Sequence, residues 1–193
     1  LTSHACEPEH GINPALAVTE ILTGALALQH NVPTEDGLRV VTVVHVNLGS
    51  EDYGISAGSA EVHLTVRCWT DEELSLLEQD IEELSRVVAE KYKLGIDIDH
   101  CFTFKANQID DAAAELVANA VRSTGHELIA RDHPFKWGED FGLFTAKYKG
   151  CMFGLGAGVD MPALHNPDYD FPDALIPHGV ELFDTAVRSY LKD

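Results

Sequence analysis

Ala60-Glu61-Val62-His63-Leu64-Thr65-Val66-Arg67-Cys68, followed at once by Trp69-Thr70-Asp71-Glu72-Glu73, decides the fold. Ala60, Val62, Leu64, Val66 and Cys68 alternate with Ser59, Glu61, His63, Thr65 and Arg67, the period of a strand with one buried and one wet face. Thr70-Asp71-Glu72-Glu73 then reads as a capping box. Beyond it, Leu74, Leu77, Ile81, Leu84 and Val88 recur every three or four residues, a helical stripe that should stop near Leu94-Gly95. Strand passes directly into helix.

Upstream, the valine-rich stretch Arg39 to Leu48 reads as a second strand, joined to the first through the polar, glycine-bearing segment Gly49 to Gly58. Before it, His30 to Gly37 is turn-like, with Asn31, Pro33, Asp36 and Gly37. Asn13-Pro14 begins a helix, Asn capping and Pro in the first turn, continued by Leu16, Ile21, Leu22, Ala25 and Leu26. Downstream, Ile96, Ile98, Phe102 and Phe104 predict one more strand. Helix, strand, strand, helix, strand is a βαββαβ unit without its opening strand. Such a unit folds as a four-stranded antiparallel sheet with two helices on one face. The opening strand would lie just before Leu1. Neither methionine (Met152, Met161) is near the amino terminus and no signal-like stretch precedes the first helix, so the expectation is a fragment or a processed chain.

The second half opens on the polar break Asn107-Gln108-Ile109-Asp110. A helix is predicted from about Ala112 to Ser123, then Gly125 and a short strand from Glu127 to Ala130. Gly138-Glu139-Asp140-Phe141 should open a short helix. Cys151 to Leu155 reads as a buried strand, and His178 to Leu191 as the final helix. So few strands make a poor independent core, and this half is expected to complete a sheet supplied elsewhere. Two segments result, residues 1–106 and 107–193.

Composition narrows the function classes. The 193 residues carry 13 Lys and Arg against 32 Asp and Glu, a formal charge of -19. That balance opposes nucleic-acid binding, which depends on neutralising phosphates, and opposes an anionic membrane surface equally. No apolar run approaches the roughly 20 residues of a spanning helix. Cys6, Cys68, Cys101 and Cys151 are scattered, with no CxxC pair. Free thiols in a reducing compartment, and so a cytoplasmic protein, are expected.

Several side chains are chemical candidates. His165, in Leu164-His165-Asn166-Pro167 ahead of Asp168, Asp170 and Asp173, is a loop imidazole suited to a zinc-like metal, with carboxylates near enough in sequence to orient it. Taken alone, a loop histidine is more often solvated. Glu139 and Asp140 pair two acids at a helix start, and on local evidence favourable placement against the helix dipole explains them better than a site does. His4, just before the first helix, reads locally as an exposed loop histidine. Arg67 has the charge for a substrate carboxylate or for solvent. His45 and His63 fall on polar strand faces. Gly154-x-Gly156-x-Gly158 lacks the following helix and third-glycine spacing of a dinucleotide loop, and is excluded as one.

Taken in order, Ser3-His4-Ala5-Cys6-Glu7-Pro8-Glu9-His10-Gly11-Ile12-Asn13-Pro14-Ala15, the Thr65-Val66-Arg67 strand end, Gly138-Glu139-Asp140-Phe141-Gly142, Leu155-Gly156-Ala157-Gly158 and Leu164 to Asp173 resemble the aminoacylase/carboxypeptidase-G-like metallopeptidase and amidohydrolase family. The hippurate hydrolase and indoleacetyl-amino-acid hydrolase branch is the nearest in pattern. The resemblance covers nearly the whole chain. It implies an α/β (α+β) protein in which residues 1–106 are a ferredoxin-like inserted dimerisation domain lacking its first strand. Residues 107–193 would then be the carboxyl-terminal part of an α/β catalytic domain.

The resemblance also implies chemistry. A pair of divalent metals, commonly zinc, with manganese, cobalt or nickel as substitutes, activates water against an amide carbonyl while a glutamate acts as general base. By resemblance His165 is the carboxyl-terminal metal ligand, and His4 reaches the substrate or oxyanion, often in a partner subunit's site. Glu139 and Asp140 play a supporting part near the site. The implied substrate is a small N-acyl amino acid or peptide, and the implied assembly a homodimer through the inserted domain. The amino-terminal metal motif and the general base have no counterpart here, so the chain by itself is expected to be inactive. Where relatives carry Asn-x-Ile-Pro between the two middle strands, this chain has Tyr53-Gly54-Ile55-Ser56. The competing reading is a dimerisation or regulatory module without chemistry of its own.

Overall fold

The computed structural model describes residues 1–34 and 37–192; Glu35, Asp36 and Asp193 lie outside the described residues. The chain forms two compact units. The first comprises Leu1–Ala106 with His133–Gly138, the second Asn107–Asp132 with Glu139–Asp193. The stretch His133–Gly138, expected with the second segment, therefore packs in the first unit. There His133 stacks on Trp69 at 5.3 Å between ring centroids, and Arg67 Nη1 donates to the Lys136 carbonyl at 3.4 Å.

In the first unit the order is α1 (Ala15–Ala27), β1 (His30–Thr34), β2 (Gly37–Leu48), β3 (Ala60–Arg67) and α2 (Asp71–Lys91). The Asn13 side chain accepts the Ala15 N–H at 2.9 Å and so ties down the helix start as expected, although Pro14 holds the N-cap position itself. Thr70 caps α2, accepting from Glu73 N–H at 3.1 Å while its hydroxyl meets the Glu73 carboxylate at 3.4 Å. β2 and β3 pair antiparallel from Val40↔Arg67 to Leu48↔Ala60, with an irregularity between Val43 and His45. The paired His45 and His63 are both exposed, their rings edge to face at 5.2 Å.

The sheet has three strands in the order β1-β2-β3. β1 replaces much of the turn expected over His30 to Gly37, because it finds hydrogen-bond partners on β2 (His30↔Arg39, Thr34↔Gly37). Asp36, named in that turn, is outside the described residues. β1 is an edge strand, the place in a sheet that tolerates a proline such as Pro33. The strand expected over Ile96 to Phe104 does not form. Phe102 has φ 54, in the left-handed region, which breaks an extended run locally. In a βαββαβ sheet, moreover, the last strand pairs with the first, and no such first strand exists among the described residues. A strand without a neighbour has no ladder to join.

α1 and α2 pack on each other and on β2 and β3. Ala25, Val41 and Leu77 form the buried centre, with Leu28, Leu64, Val66, Cys68, Ile81 and Leu84 around it. A Cβ at Gly24 would meet Leu84 at 2.6 Å, so glycine lets the two helices approach closely. Lys91 seals the far end of the pair on Glu20 at 2.7 Å, where the Tyr92 hydroxyl donates to the same carboxylate at 3.0 Å. These bonds hold the Glu20 carboxyl below its usual range. His100, bound to Glu82 at 2.9 Å and Glu78 at 3.4 Å, ties the chain after α2 back onto it. Its pKa is raised, chiefly by the Glu82 hydrogen bond. The outer half of the hairpin is open, with Val44, Val46 and Leu48 exposed.

The second unit holds α3 (Asp111–Ser123), the single turn α4 (Gly142–Thr145) and α5 (Leu175–Tyr190). Asp110 caps α3 through Ala113 N–H at 3.0 Å, and its own N–H donates to the Gly150 carbonyl at 2.9 Å. The Thr145 hydroxyl accepts Gln108 N–H at 3.1 Å, fixing the polar break beside α4. α3 packs on α5, with Ala120, Val121 and Leu182 buried. α5 starts three residues earlier than its apolar spacing indicated, because Pro177 falls in the first turn, where a missing N–H costs nothing. The strands expected at Glu127 to Ala130 and at Cys151 to Leu155 are absent from the described residues. Each lacks a neighbouring strand among the described residues. No described helix is long and apolar enough to cross a membrane.

All four cysteines are free thiols, Cys6 and Cys101 exposed and Cys68 and Cys151 partly buried. Burial pushes the Cys68 thiol up to about 11 and raises that of Cys151. Only the thiolate is nucleophilic. Iodoacetamide at pH 8 is therefore expected to alkylate Cys6 and Cys101 first, read by peptide mass spectrometry. Labelling of Cys68 as fast as Cys6 would contradict the packing described.

Candidate functional site

The segment bearing His4 is built against the loop between β2 and β3. Ala5 N–H donates to Gly54 O at 2.9 Å, Ser56 N–H to Ser3 O at 2.9 Å, and His4 forms an isolated bridge with Ile55. The Ser3 and Ser56 hydroxyls meet at 2.9 Å. Gly58 completes the seam: a Cβ there would lie 2.8 Å from the backbone nitrogen of Thr2. The structure thus joins His4 to Tyr53-Gly54-Ile55-Ser56, two features the sequence singled out separately. The His4 side chain is exposed, and its Nδ1 accepts the Cys6 N–H at 3.2 Å, with Cys6 Sγ 3.0 Å away. Because a backbone N–H only donates, the neutral ring carries its proton on Nε2. An oriented imidazole N–H faces outward as a donor.

Arg67 lies at the end of β3, half-buried, donating to the Lys136 carbonyl and pairing with no carboxylate among the described residues. In the second unit, Glu139 and Asp140 are exposed just ahead of α4, and neither side chain caps it. The helix-dipole explanation therefore has little hold on them, since α4 is a single turn.

His165 is exposed in a turn closed by Asn166 N–H to Ala163 O at 3.1 Å. Its φ of 69 is unusual for a residue other than glycine and costs about 1–2 kcal/mol. Such strain is kept where a side chain must be aimed. The carboxylates expected to orient it, Asp168, Asp170 and Asp173, make no hydrogen bond or ion pair with its ring among the described residues; the turn fixes the backbone instead. As a fit for metal, a strained turn presenting a ring without hydrogen-bond partners suits one ligand and no more. Among the described residues, no group of three potential ligands includes His165, Glu139 or Asp140.

One such group does exist, and its sequence signal was only partial. His126, His178 and Glu181 place one ligand atom each within 4.8 Å of one another. The three-residue spacing of His178 and Glu181 was legible on the final helix; the approach of His126 was not.

The chain belongs to the peptidase family M20/M25/M40, whose family model matches residues 7–189. It is 30% identical over 182 residues to an N-acetyldiaminopimelate deacetylase of Streptococcus gordonii, covering 92% of this chain and 47% of the relative. The corresponding deacetylase of Exiguobacterium sibiricum is 24% identical over 187 residues, covering 94% and 50%. The chain thus spans about half the length of the curated relatives it matches. Among solved structures it is similar to a putative aminohydrolase from methicillin-resistant Staphylococcus aureus, with a TM-score of 0.75, 20% identity and coverage of 96% and 48%. It is also similar to a dinuclear metal binding peptidase of the M20 family from Bacillus subtilis, with a TM-score of 0.69, 17% identity and coverage of 94% and 47%. Those two likenesses establish the fold alone. The family expected from the motifs is the one found; the curated relatives named above are N-acetyldiaminopimelate deacetylases, and they do not support the hippurate or indoleacetyl-amino-acid hydrolase branch.

Proposed function

We propose that this chain is the carboxyl-terminal part of a metal-dependent amidohydrolase that removes the acyl group from a small N-acylated amino acid. The observation that carries the reading is His4, whose Nδ1 is engaged by Cys6 and whose Nε2–H is left to donate. A fixed N–H donor stabilises the oxyanion that forms when water adds to an amide carbonyl. His165 contributes one ligand to a divalent metal, zinc in the first instance, and Arg67 pairs with the substrate carboxylate. Glu139 and Asp140 stand beside that site as supporting acids. A bound metal supplies the polarised carbonyl and the activated water. The general base and the remaining ligands belong outside residues 1–193. The names of the curated relatives favour an acetyl group over the aromatic acyl group of the hippurate branch.

The same proposal takes residues 1–106 as a ferredoxin-like dimerisation domain, with His4 serving the site of a partner copy in a homodimer. A cytoplasmic setting agrees with four free thiols. The second reading, a dimerisation module without chemistry, draws on the exposed Val44, Val46 and Leu48 of the hairpin.

The chain alone, supplied with zinc, manganese or cobalt, is expected to leave N-acetyl and N-benzoyl amino acids intact. Metal-dependent turnover by the pure chain would sink this division of labour. Embedded in a protein of its relatives' length, it should support deacetylation that His165→Ala abolishes; no turnover in that longer protein would favour the second reading.

A further inference from the structure

We propose that His126, His178 and Glu181 form a binding site for a transition-type divalent cation, zinc fitting best, that clamps the end of α3 to α5. All three residues belong to the second unit, and the site includes neither His165 nor the acidic pair. It therefore stands independently of the function proposed above.

His126 is placed by the end of α3. Gly125 takes φ 75, its N–H bonds to Arg122 O at 3.3 Å, and His126 N–H bonds to Val121 O at 3.2 Å. This crossed pair is the Schellman closure of a helix, which fixes the backbone that carries the imidazole. His178 and Glu181 stand one turn apart on α5, and residues three apart share a helix face. Packing of α3 on α5 brings the two elements together.

The donor set is chemically specific. Two imidazoles and a carboxylate suit zinc and its neighbours, whereas calcium and magnesium take oxygen ligands. His126 Nε2 lies 3.4 Å from Glu181 Oε2. Two ligands each about 2.1 Å from a tetrahedral metal lie about 3.4 Å apart, so this pair already has the right spacing. The His126 and His178 rings meet edge to face at 5.0 Å between centroids. The remaining ligand-atom distances are within 4.8 Å, and His178 and Glu181 are exposed, so their side chains have room to adjust towards a bound ion.

The independent sign is an orphan. His126 Nε2 is buried and makes no hydrogen bond among the described residues, its approach to Glu181 being close but badly aligned. A buried polar atom without a partner is costly, and a coordinated cation removes that cost. Three protein ligands leave a fourth position for water.

The test uses the 193-residue chain carrying His165→Ala, which silences any metal held through that loop. Zinc titrated by calorimetry should bind with one equivalent, and zinc at about a hundred times its Kd should raise Tm by at least ~5 °C. His178→Ala and Glu181→Gln change exposed side chains and leave the fold intact. Each should weaken zinc binding by more than about 100-fold, since even outer-shell partners of a metal cost 10–100-fold. Cobalt as probe should give a visible absorption band in the parent that both variants lose. Absence of zinc binding, or binding unchanged in both variants, would overturn the proposal.

Discussion

Alanine at His4 is expected to lower kcat by about 10²–10³-fold in a protein of the relatives' length that carries this segment, about 2.7–4 kcal/mol of transition-state stabilisation. The expectation follows from orientation as much as from residue type. A free imidazole presents either nitrogen as donor; here Cys6 N–H at 3.2 Å holds Nδ1 as the acceptor. The backbone on either side is pinned, by Ser56 N–H to Ser3 O and Ala5 N–H to Gly54 O, each at 2.9 Å. A donor aimed where charge develops acts in the transition state, so kcat and kcat/KM should fall together with KM nearly unchanged. His45→Ala, at another exposed histidine in the same unit, is the control and should change kcat less than twofold. A rise in KM at constant kcat would make His4 a substrate anchor and end the oxyanion assignment.

Leu77→Ala should destabilise the first unit by about 2–5 kcal/mol. Leu77 is 0% exposed, at the meeting point of α2 with Ala25 of α1 and Val41 of β2. Removing its branch leaves a cavity that two helices and a sheet must shrink to fill, and the glycine contact between Gly24 and Leu84 leaves them little room to shift. Its neighbour Leu76 is 53% exposed, and Leu76→Ala should cost within about 0.5 kcal/mol. Urea unfolding followed by circular dichroism separates the two, through a lower midpoint at unchanged slope for Leu77→Ala. Equal midpoints would mean that the stripe read from Leu74, Leu77, Ile81, Leu84 and Val88 does not face the core.

That stripe was readable because a helix and its cap are local. Thr70 and Asn13 each bond a helix-start N–H where their sequence positions indicated, and α2 and α3 begin within a residue or so of expectation, whereas the Asp110 cap of α3 emerged only from the structure. Strands are not local. Ile96 to Phe104, Glu127 to Ala130 and Cys151 to Leu155 carry strand-like residues but have no ladder to join, whereas His30 to Thr34, with turn-like residues, found one on β2. The site divides the same way. His4 and His165 stood out by motif, but the seam of Ser3 against Ser56 and the positive φ of His165 depend on how the chain returns on itself. His126 meets α5 only through the packing of α3, which no spacing in the sequence encodes.

The short return of His133–Gly138 has a practical meaning for dissecting this protein. The polypeptide passes from one compact unit to the other at three places, after Ala106, after Asp132 and after Gly138. The first unit is therefore not a contiguous stretch of gene. A product ending at Ala106 would strip Trp69 of its stacking partner and leave the Arg67 guanidinium without its carbonyl acceptor. Anyone wishing to excise that unit should graft residues 133–138 back through a linker, and a recombination point after residue 106 will mismatch the six returning residues unless they travel with it.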